Sequence, residues 1–157
     1  GCDALKLEGG SEISKTIKIL VRNNMPVMSH IGLQPQKISS KKKYKVLGKS
    51  EGEVKKVIKD LISIEKAGSF SVVLESVTEK LANKINKISK IPVIGIGASN
   101  KCDGQILVTE DLLGLFDKSP KFVKKYENLR AKIRKAVKRY YNDVKYRVFP
   151  NKNNVYK

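Results

Sequence analysis

The sequence lacks several features that would define a protein class at once: it has no tryptophan, one histidine and two cysteines. Cys2 and Cys102 are too few for a disulfide framework or a zinc knuckle, which favours free thiols in a reducing compartment, the cytoplasm. No apolar run approaches the roughly 20 residues that cross a bilayer, and no secretory signal pattern opens the chain. We therefore expect a protein with free thiols that is not inserted in a membrane.

Acidic residues are also scarce, since 15 Asp and Glu stand against 33 Lys and Arg, for a formal net charge of +18. Such an excess raises nucleic acid or an anionic surface as a partner. The cations are mostly lysines dispersed along helix-like stretches, apart from the run Lys41–Lys43, and no recognition motif accompanies them. Dispersed lysines are typical of solvated helix faces, so a basic nucleic-acid-binding protein is our last-ranked hypothesis.

Short apolar runs alternate with amphipathic stretches, the pattern of βα units that form a parallel sheet. The four runs are residues 4–7, 26–31, 71–74 and 92–96. Residues at helical spacing follow the first run. A capping box at Ser50 and Glu53 predicts the start of a second helix, Gly68 predicts its end, and a third helix is expected after Thr78.

Parallel βα repeats leave two architectures, a doubly wound sheet or a (β/α)8 barrel. The glycine-rich stretch Gly95–Ser99 lacks the full dinucleotide-binding fingerprint. A barrel takes about 250 residues, so this chain would supply a little over half of one. Its start at Gly1, directly before a strand-like run, predicts that it is part of a longer domain. We expect one partial barrel domain over 1–157, with a long C-terminal helical segment over about 120–146.

Ionisable side chains occur where the predicted strands end, which is where active sites of βα folds lie. They are Lys6, Glu8, His30 and Glu75, followed by the Gly95–Ser99 loop. A single strand-end glutamate is more often solvated or a helix cap, and a lone histidine is more often structural. Four such residues at equivalent positions favour a site. The set suits carbanion chemistry beside a carbonyl, with a base, a cation for a carboxylate and a hard metal.

The chain resembles the ketopantoate hydroxymethyltransferases through motifs that follow that family's order along nearly its whole length. The motifs are Lys6–Gly10, Pro26–Gln36, Tyr44–Val46, Val73–Glu75, Ile91–Ala98, Cys102–Val108 and Pro120–Phe122. The resemblance implies a (β/α)8 TIM barrel. This chain would be its C-terminal part, with the last four or five βα units and the C-terminal helices, and the family's N-terminal strands would be absent.

The resemblance also implies a reaction, the transfer of a hydroxymethyl group from 5,10-methylenetetrahydrofolate to 3-methyl-2-oxobutanoate. The product is 2-dehydropantoate, on the route to pantothenate and coenzyme A. Mg²⁺ would hold the keto acid and its enolate, with Glu8 as a metal ligand. Glu75 would be the catalytic base, and Lys6 and His30 would bind substrate. A cytoplasmic homo-oligomer is implied, with no membrane and no specific nucleic acid as a partner.

The chain departs from the family pattern in two places. Ser29 stands where the family usually has glycine before the histidine, and Lys42 and Lys43 replace a glycine pair before Tyr44. We expect both changes near the active-site face. The family's other metal and substrate ligands belong to strands that this chain is expected to lack, so the alternative to an enzyme is a truncated, non-catalytic remnant.

Overall fold

A computed structural model describes residues 1–37 and 45–156. These residues form two compact units, Gly1–Ile106 and Leu107–Lys157. The βα repeats all lie in the first unit, whereas the second unit contains helices and turns. The expectation was a single partial barrel domain over 1–157.

The first unit is a five-stranded parallel sheet with helices between its strands. Its elements are β1 (Leu5–Glu8), α1 (Ser14–Arg22), β2 (Val27–Gly32), α2 (Glu51–Ala67), β3 (Ser71–Glu75), α3 (Glu79–Ile88), β4 (Val93–Ile96) and β5 (Gly104–Gln105). The strands lie side by side in chain order, and each neighbouring pair is parallel. In a doubly wound sheet the strand order reverses at a point inside the sheet, whereas in a barrel each strand lies next to the one that follows it in the chain. The α/β class is therefore confirmed, and the strand order is consistent with the barrel family.

The predicted helix ends are set by the residues that the sequence pattern identified. The Ser50 hydroxyl accepts a hydrogen bond from Glu53 N at 3.3 Å at the start of α2, and Gly68 ends this helix in a left-handed conformation with φ 99°. Thr78 caps α3 in the same way as Ser50 caps α2. The capping box is only half formed, because the Glu53 carboxylate accepts from the backbone N–H groups of Gly48 and Lys49.

The hydrophobic core fills the space between the sheet and helices α1, α2 and α3. Its fully buried side chains are Ile17, Val27, Ile31, Val57, Leu61, Ile64, Val72, Leu74, Ile85 and Val93. Alternation along β2 puts Ser29 on the same face as Val27 and Ile31, and its hydroxyl oxygen lies 2.6 Å from that of Ser69. The expectation that Ser29 lies near the active-site face was therefore wrong. The other departure, Lys42 and Lys43, lies outside the described residues.

The second unit contains a short helix, α4 (Thr109–Leu112), and a long one, α5 (Leu129–Lys145). The helical segment expected over about 120–146 is shorter than predicted, because Asn128 caps α5 by accepting from Ala131 N at 3.1 Å. The preceding residues form turns, and Tyr126 N donates to Leu112 O at 2.8 Å. Among the helices of residues 1–37 and 45–156, none is long and apolar enough to cross a membrane.

A buried carboxylate connects α2 to the loop that follows β1. Asp60 is 2% exposed, and its Oδ1 accepts from both the backbone N–H and the hydroxyl of Ser11, each at 2.9 Å. Its Oδ2 accepts from Lys56 Nζ at 3.0 Å. A Cβ at Gly10 would lie 2.2 Å from Asp60 Cγ, so the loop needs glycine there. Asp60 thus fixes the chain directly after the Glu8 strand end.

We expect Asp60→Ala to lower the free energy of unfolding by about 1–3 kcal/mol, because Ser11 would lose the acceptor for two donors in a partly buried site. Lys56→Ala removes only the largely exposed partner of the same carboxylate and should cost at most about 0.5 kcal/mol. Urea denaturation of both variants measures the difference. Equal losses would mean that the ion pair between Lys56 and Asp60, and not the contact of Asp60 with Ser11, carries the stabilisation.

Glu53 gives the fold a defined dependence on pH. Its carboxylate lies 2.6 Å from Lys45 Nζ, and Lys45 together with the Lys49 N–H lowers the pKa of Glu53 from 4.5 to about 2. Because this pKa is lower in the folded state, the stabilisation is complete above about pH 4.5 and is lost as the pH falls towards 2.

We expect Glu53→Gln to lower the urea midpoint at neutral pH, with a difference from wild type that shrinks as the pH falls from about 4.5 to about 2. Glu51→Gln, at a highly exposed side chain, is the control; a Glu53→Gln difference that stays constant with pH would contradict the assignment.

Candidate active site

The parallel register brings the predicted site residues to one face of the sheet. Glu8 pairs with His30 across β1 and β2, and Gly32 pairs with Glu75 across β2 and β3. Paired residues of a parallel sheet point to the same side, and alternate residues along a strand share that side. Lys6, Glu8, His30 and Glu75 therefore lie together on the face opposite the helix-covered core.

Glu8, His30 and Glu75 form a continuous row, which we call the carboxylate–histidine row. His30 Nδ1 lies 3.4 Å from Glu8 Oε1, and His30 Nε2 lies 3.1 Å from Glu75 Oε2. Lys6 Nζ extends the row at 3.9 Å from Glu8 Oε1. Both contacts of the histidine ring are within the distance of an ion pair. Neither ring nitrogen makes a hydrogen bond to a described residue. The arrangement thus links two carboxylates through one imidazole.

Exposure differs along this set in a way that separates possible roles. The His30 side chain is 2% exposed and that of Glu75 is 12% exposed, whereas the Lys6 side chain is 46% exposed. A buried carboxylate beside an imidazole is suited to moving a proton out of contact with bulk water. An accessible ammonium at the edge of the same face is suited to holding an anionic group.

The second oxygen of Glu8 is also engaged, because Oε2 accepts from the backbone N–H of Gln36 at 3.2 Å. Both Glu8 oxygens therefore already face donors or cations within this chain. Among residues 1–37 and 45–156, no group of three or more His, Cys, Asp or Glu side chains is arranged to hold a metal ion. Magnesium requires several oxygen ligands, so the described residues do not form a magnesium site by themselves.

The Gly95–Ser99 loop, predicted at the same rim, is held by contacts with its neighbours. The Ser99 hydroxyl donates to Asn83 Oδ1 at 2.6 Å, and the Gln105 side chain donates to Ser99 O at 2.8 Å. Cys102, a free thiol, lies against this region, and burial raises its pKa. These contacts fix the loop after β4 and assign it no chemical role.

Sequence reasoning missed two contributors to the site region. Asp60 lies three residues after Val57 and four before Ile64, on the buried stripe of α2, and a carboxylate at such a position requires partners. That signal was present in the sequence. Gln36 reaches Glu8 through its backbone, which no side-chain pattern reveals.

Comparison with known proteins gives a consistent result over the whole chain. A sequence model described as ketopantoate hydroxymethyltransferase matches residues 1–152. The chain is 48% identical over 157 residues to the 3-methyl-2-oxobutanoate hydroxymethyltransferase of Bartonella henselae, covering 100% of this chain and 57% of that protein. It is 49% identical over 157 residues to 3-methyl-2-oxobutanoate hydroxymethyltransferase 2 of Zymomonas mobilis, a match that covers 100% of this chain and 58% of that protein.

A third relative, from Brucella suis, carries the same name as the Bartonella protein and is 43% identical over 157 residues, with 99% of this chain and 57% of that protein covered. The chain thus spans a little over half the length of these curated relatives. The expected placement in the C-terminal part of the family's sequence is not supported by these comparisons. The match to the family nevertheless extends over nearly every residue, and the chain belongs to the ketopantoate hydroxymethyltransferase family.

Proposed function

We propose that this chain forms part of an enzyme that transfers a hydroxymethyl group from 5,10-methylenetetrahydrofolate to 3-methyl-2-oxobutanoate, giving 2-dehydropantoate for pantothenate synthesis. The observation that carries the proposal is the carboxylate–histidine row, which has the shielded carboxylate of Glu75 at one end and the accessible ammonium of Lys6 beyond Glu8 at the other. Family membership and the names of the relatives support the choice of substrate.

Glu75 acts as the base in this proposal. The C3–H bond of the keto acid breaks, its proton passes to the Glu75 carboxylate, and the electron pair delocalises onto the keto oxygen as an enolate. Water adds to the methylene carbon of the folate, both of its C–N bonds break, and the two protons of water pass to the folate nitrogens, which releases tetrahydrofolate and formaldehyde. C3 of the enolate then bonds to the formaldehyde carbon, and the resulting alkoxide takes back the proton held by Glu75. His30 Nε2 lies 3.1 Å from Glu75 Oε2, and in this proposal His30 lines the substrate pocket beside that carboxylate.

Lys6 binds the carboxylate of the keto acid in this proposal. Its side chain is the most exposed of the four, and it lies on the face shared by Glu8 and His30. An ammonium there offsets the negative charge of an incoming keto acid, which would otherwise meet two glutamates. The position of Lys6 at the edge of the row thus orients C3 of the substrate towards Glu75.

Magnesium and the remaining substrate contacts need residues beyond those that the structure describes. Glu8 would supply one oxygen ligand to Mg²⁺, which polarises the keto group when it is bound. The further ligands would come from the part of the relatives that the chain does not cover. We also propose a homo-oligomeric cytoplasmic protein, supported by the family resemblance and by two free cysteines.

Deuterium exchange at C3 of 3-methyl-2-oxobutanoate tests the proposal without requiring the folate. The exchange would be followed by proton NMR in D₂O, with and without Mg²⁺, for this chain alone and for a completed protein. The completed protein is this chain together with the part of the Bartonella henselae relative that the match leaves uncovered, supplied as a second polypeptide. Exchange after completion supports a shared site. Exchange in neither sample supports the alternative, a non-catalytic remnant.

In the completed protein, Glu75→Gln should slow C3 exchange by about 10²-fold or more, because an amide cannot accept the substrate proton. Binding of the keto acid should change little, since the amide keeps the size of the carboxylate. Exchange rates and a keto-acid titration measure the two effects. Retained exchange would remove Glu75 as the base.

Lys6→Ala should raise the KM for the keto acid about tenfold or more, because it removes a charged partner of the substrate carboxylate. The value of kcat should fall less than kcat/KM. Lys18→Ala is the matched control, since Lys18 is an exposed lysine of α1 that the proposal does not use. Equal KM values for the two variants would contradict the assignment of Lys6.

A further inference from the structure

The residue after Glu75 has an unusual backbone conformation. Ser76 has φ 51°, in the left-handed region that residues other than glycine seldom adopt. Two other non-glycine residues of the described chain, Asn24 and Arg147, also have positive φ, but both are exposed, whereas Ser76 is 5% exposed. A conformation of this kind persists inside a protein only where neighbouring contacts enforce it.

Contacts on both sides enforce the turn at Ser76. Its N–H donates to Ile96 O at 2.9 Å, at the end of β4, and its carbonyl accepts from Leu47 N at 3.0 Å. Thr78 N in turn donates to Leu47 O at 2.8 Å. The chain therefore leaves the sheet at one defined residue, directly after the side chain that we assign as the base.

The preceding peptide group is fixed from the opposite side by the end of β2. Glu75 O accepts from Leu33 N at 2.9 Å. Gly32 has φ 90°, and a Cβ on it would lie 2.3 Å from Glu75 O, a distance that no side chain can occupy. The backbone of β2 can pass this close to Glu75 only because Gly32 has no side chain.

We propose that Gly32 and Ser76 are positioning residues that hold the Glu75 carboxylate against His30. With its carbonyl bonded on one side and the next residue turned on the other, the Glu75 backbone keeps one orientation. That orientation places Oε2 at 3.1 Å from His30 Nε2. The inference rests on the proposed role of Glu75, and it adds two residues that need not touch the substrate.

The test uses the completed protein with four substitutions, each assayed for C3 exchange per folded molecule. Ser76→Val places a β-branched residue at a positive φ, which such residues strongly disfavour, and Gly32→Ala introduces the impossible contact. Ser76→Gly is the conservative variant, since glycine adopts this φ freely. Asn24→Val is the matched control, because it strains the same backbone region at φ 59° at an exposed turn before β2, away from Glu75.

We expect Ser76→Val and Gly32→Ala to lower kcat for exchange about tenfold to 100-fold while KM for the keto acid changes less than about threefold, because a displacement of about 1 Å in a catalytic group can cost 10²-fold. Ser76→Gly should stay close to wild type. Asn24→Val should lower the unfolding midpoint with kcat unchanged, which separates loss of stability from loss of positioning.

Wild-type kcat in Ser76→Val would overturn the inference, as would a parallel change of kcat and KM in that variant. If Gly32→Ala does not fold, the comparison of kcat between Ser76→Val and Ser76→Gly tests the inference. Glu75→Gln separates the two proposals: if it abolishes exchange while Ser76→Val does not, only the positioning role fails. If Glu75→Gln retains exchange, the proposed function itself fails.

Discussion

The parallel pairing of β1, β2 and β3 is the constraint on which the site depends. Side chains alternate between the faces of a strand, so a slip of one residue in either pairing would turn a member of the carboxylate–histidine row towards the helices. The observed register prevents this, because the apolar residues on the other face are needed in the core. Packing of Val27, Ile31, Val72 and Leu74 therefore determines where Glu8, His30 and Glu75 point.

Charge has two distinct uses in this chain. Buried or half-buried carboxylates have defined partners, as Asp60 has in Ser11 and Glu53 has in Lys45. Most of the described cations behind the net charge of +18 are instead exposed to solvent, where salt screens their interactions. Lys6 differs from these because it stands in a row of ionisable groups. Its position relative to the sheet, and not the abundance of lysine, sets Lys6 apart from the other cations.

The sequence was a good guide where local chemistry decides the structure. The four apolar runs became strands β1 to β4, and Ser50, Gly68 and Thr78 set helix ends as predicted, because capping acts over three or four residues. The four strand-end residues could be placed on one face because alternation and parallel order are general rules. Prediction failed mainly where distant parts of the chain decide: Ser29 was assigned to the wrong face, and neither the contact of Asp60 with Ser11 nor the close approach of Gly32 to Glu75 was foreseen. The late start of α5 has a local cause instead, the cap at Asn128, which its apolar stripe did not indicate.

In the described residues, β1 is the first strand of the sheet and pairs on one side only, with β2. It also carries Lys6 and Glu8. A further parallel strand that adds to its free backbone groups would be held in register by main-chain hydrogen bonds, and the side chains at that strand's end would lie next to Glu8. Pairing of the added strand and completion of the proposed site would then occur together. Binding of that strand to β1 would raise the affinity for a ligand that contacts both strands, and binding of such a ligand would raise the affinity of the two strands for each other by the same factor.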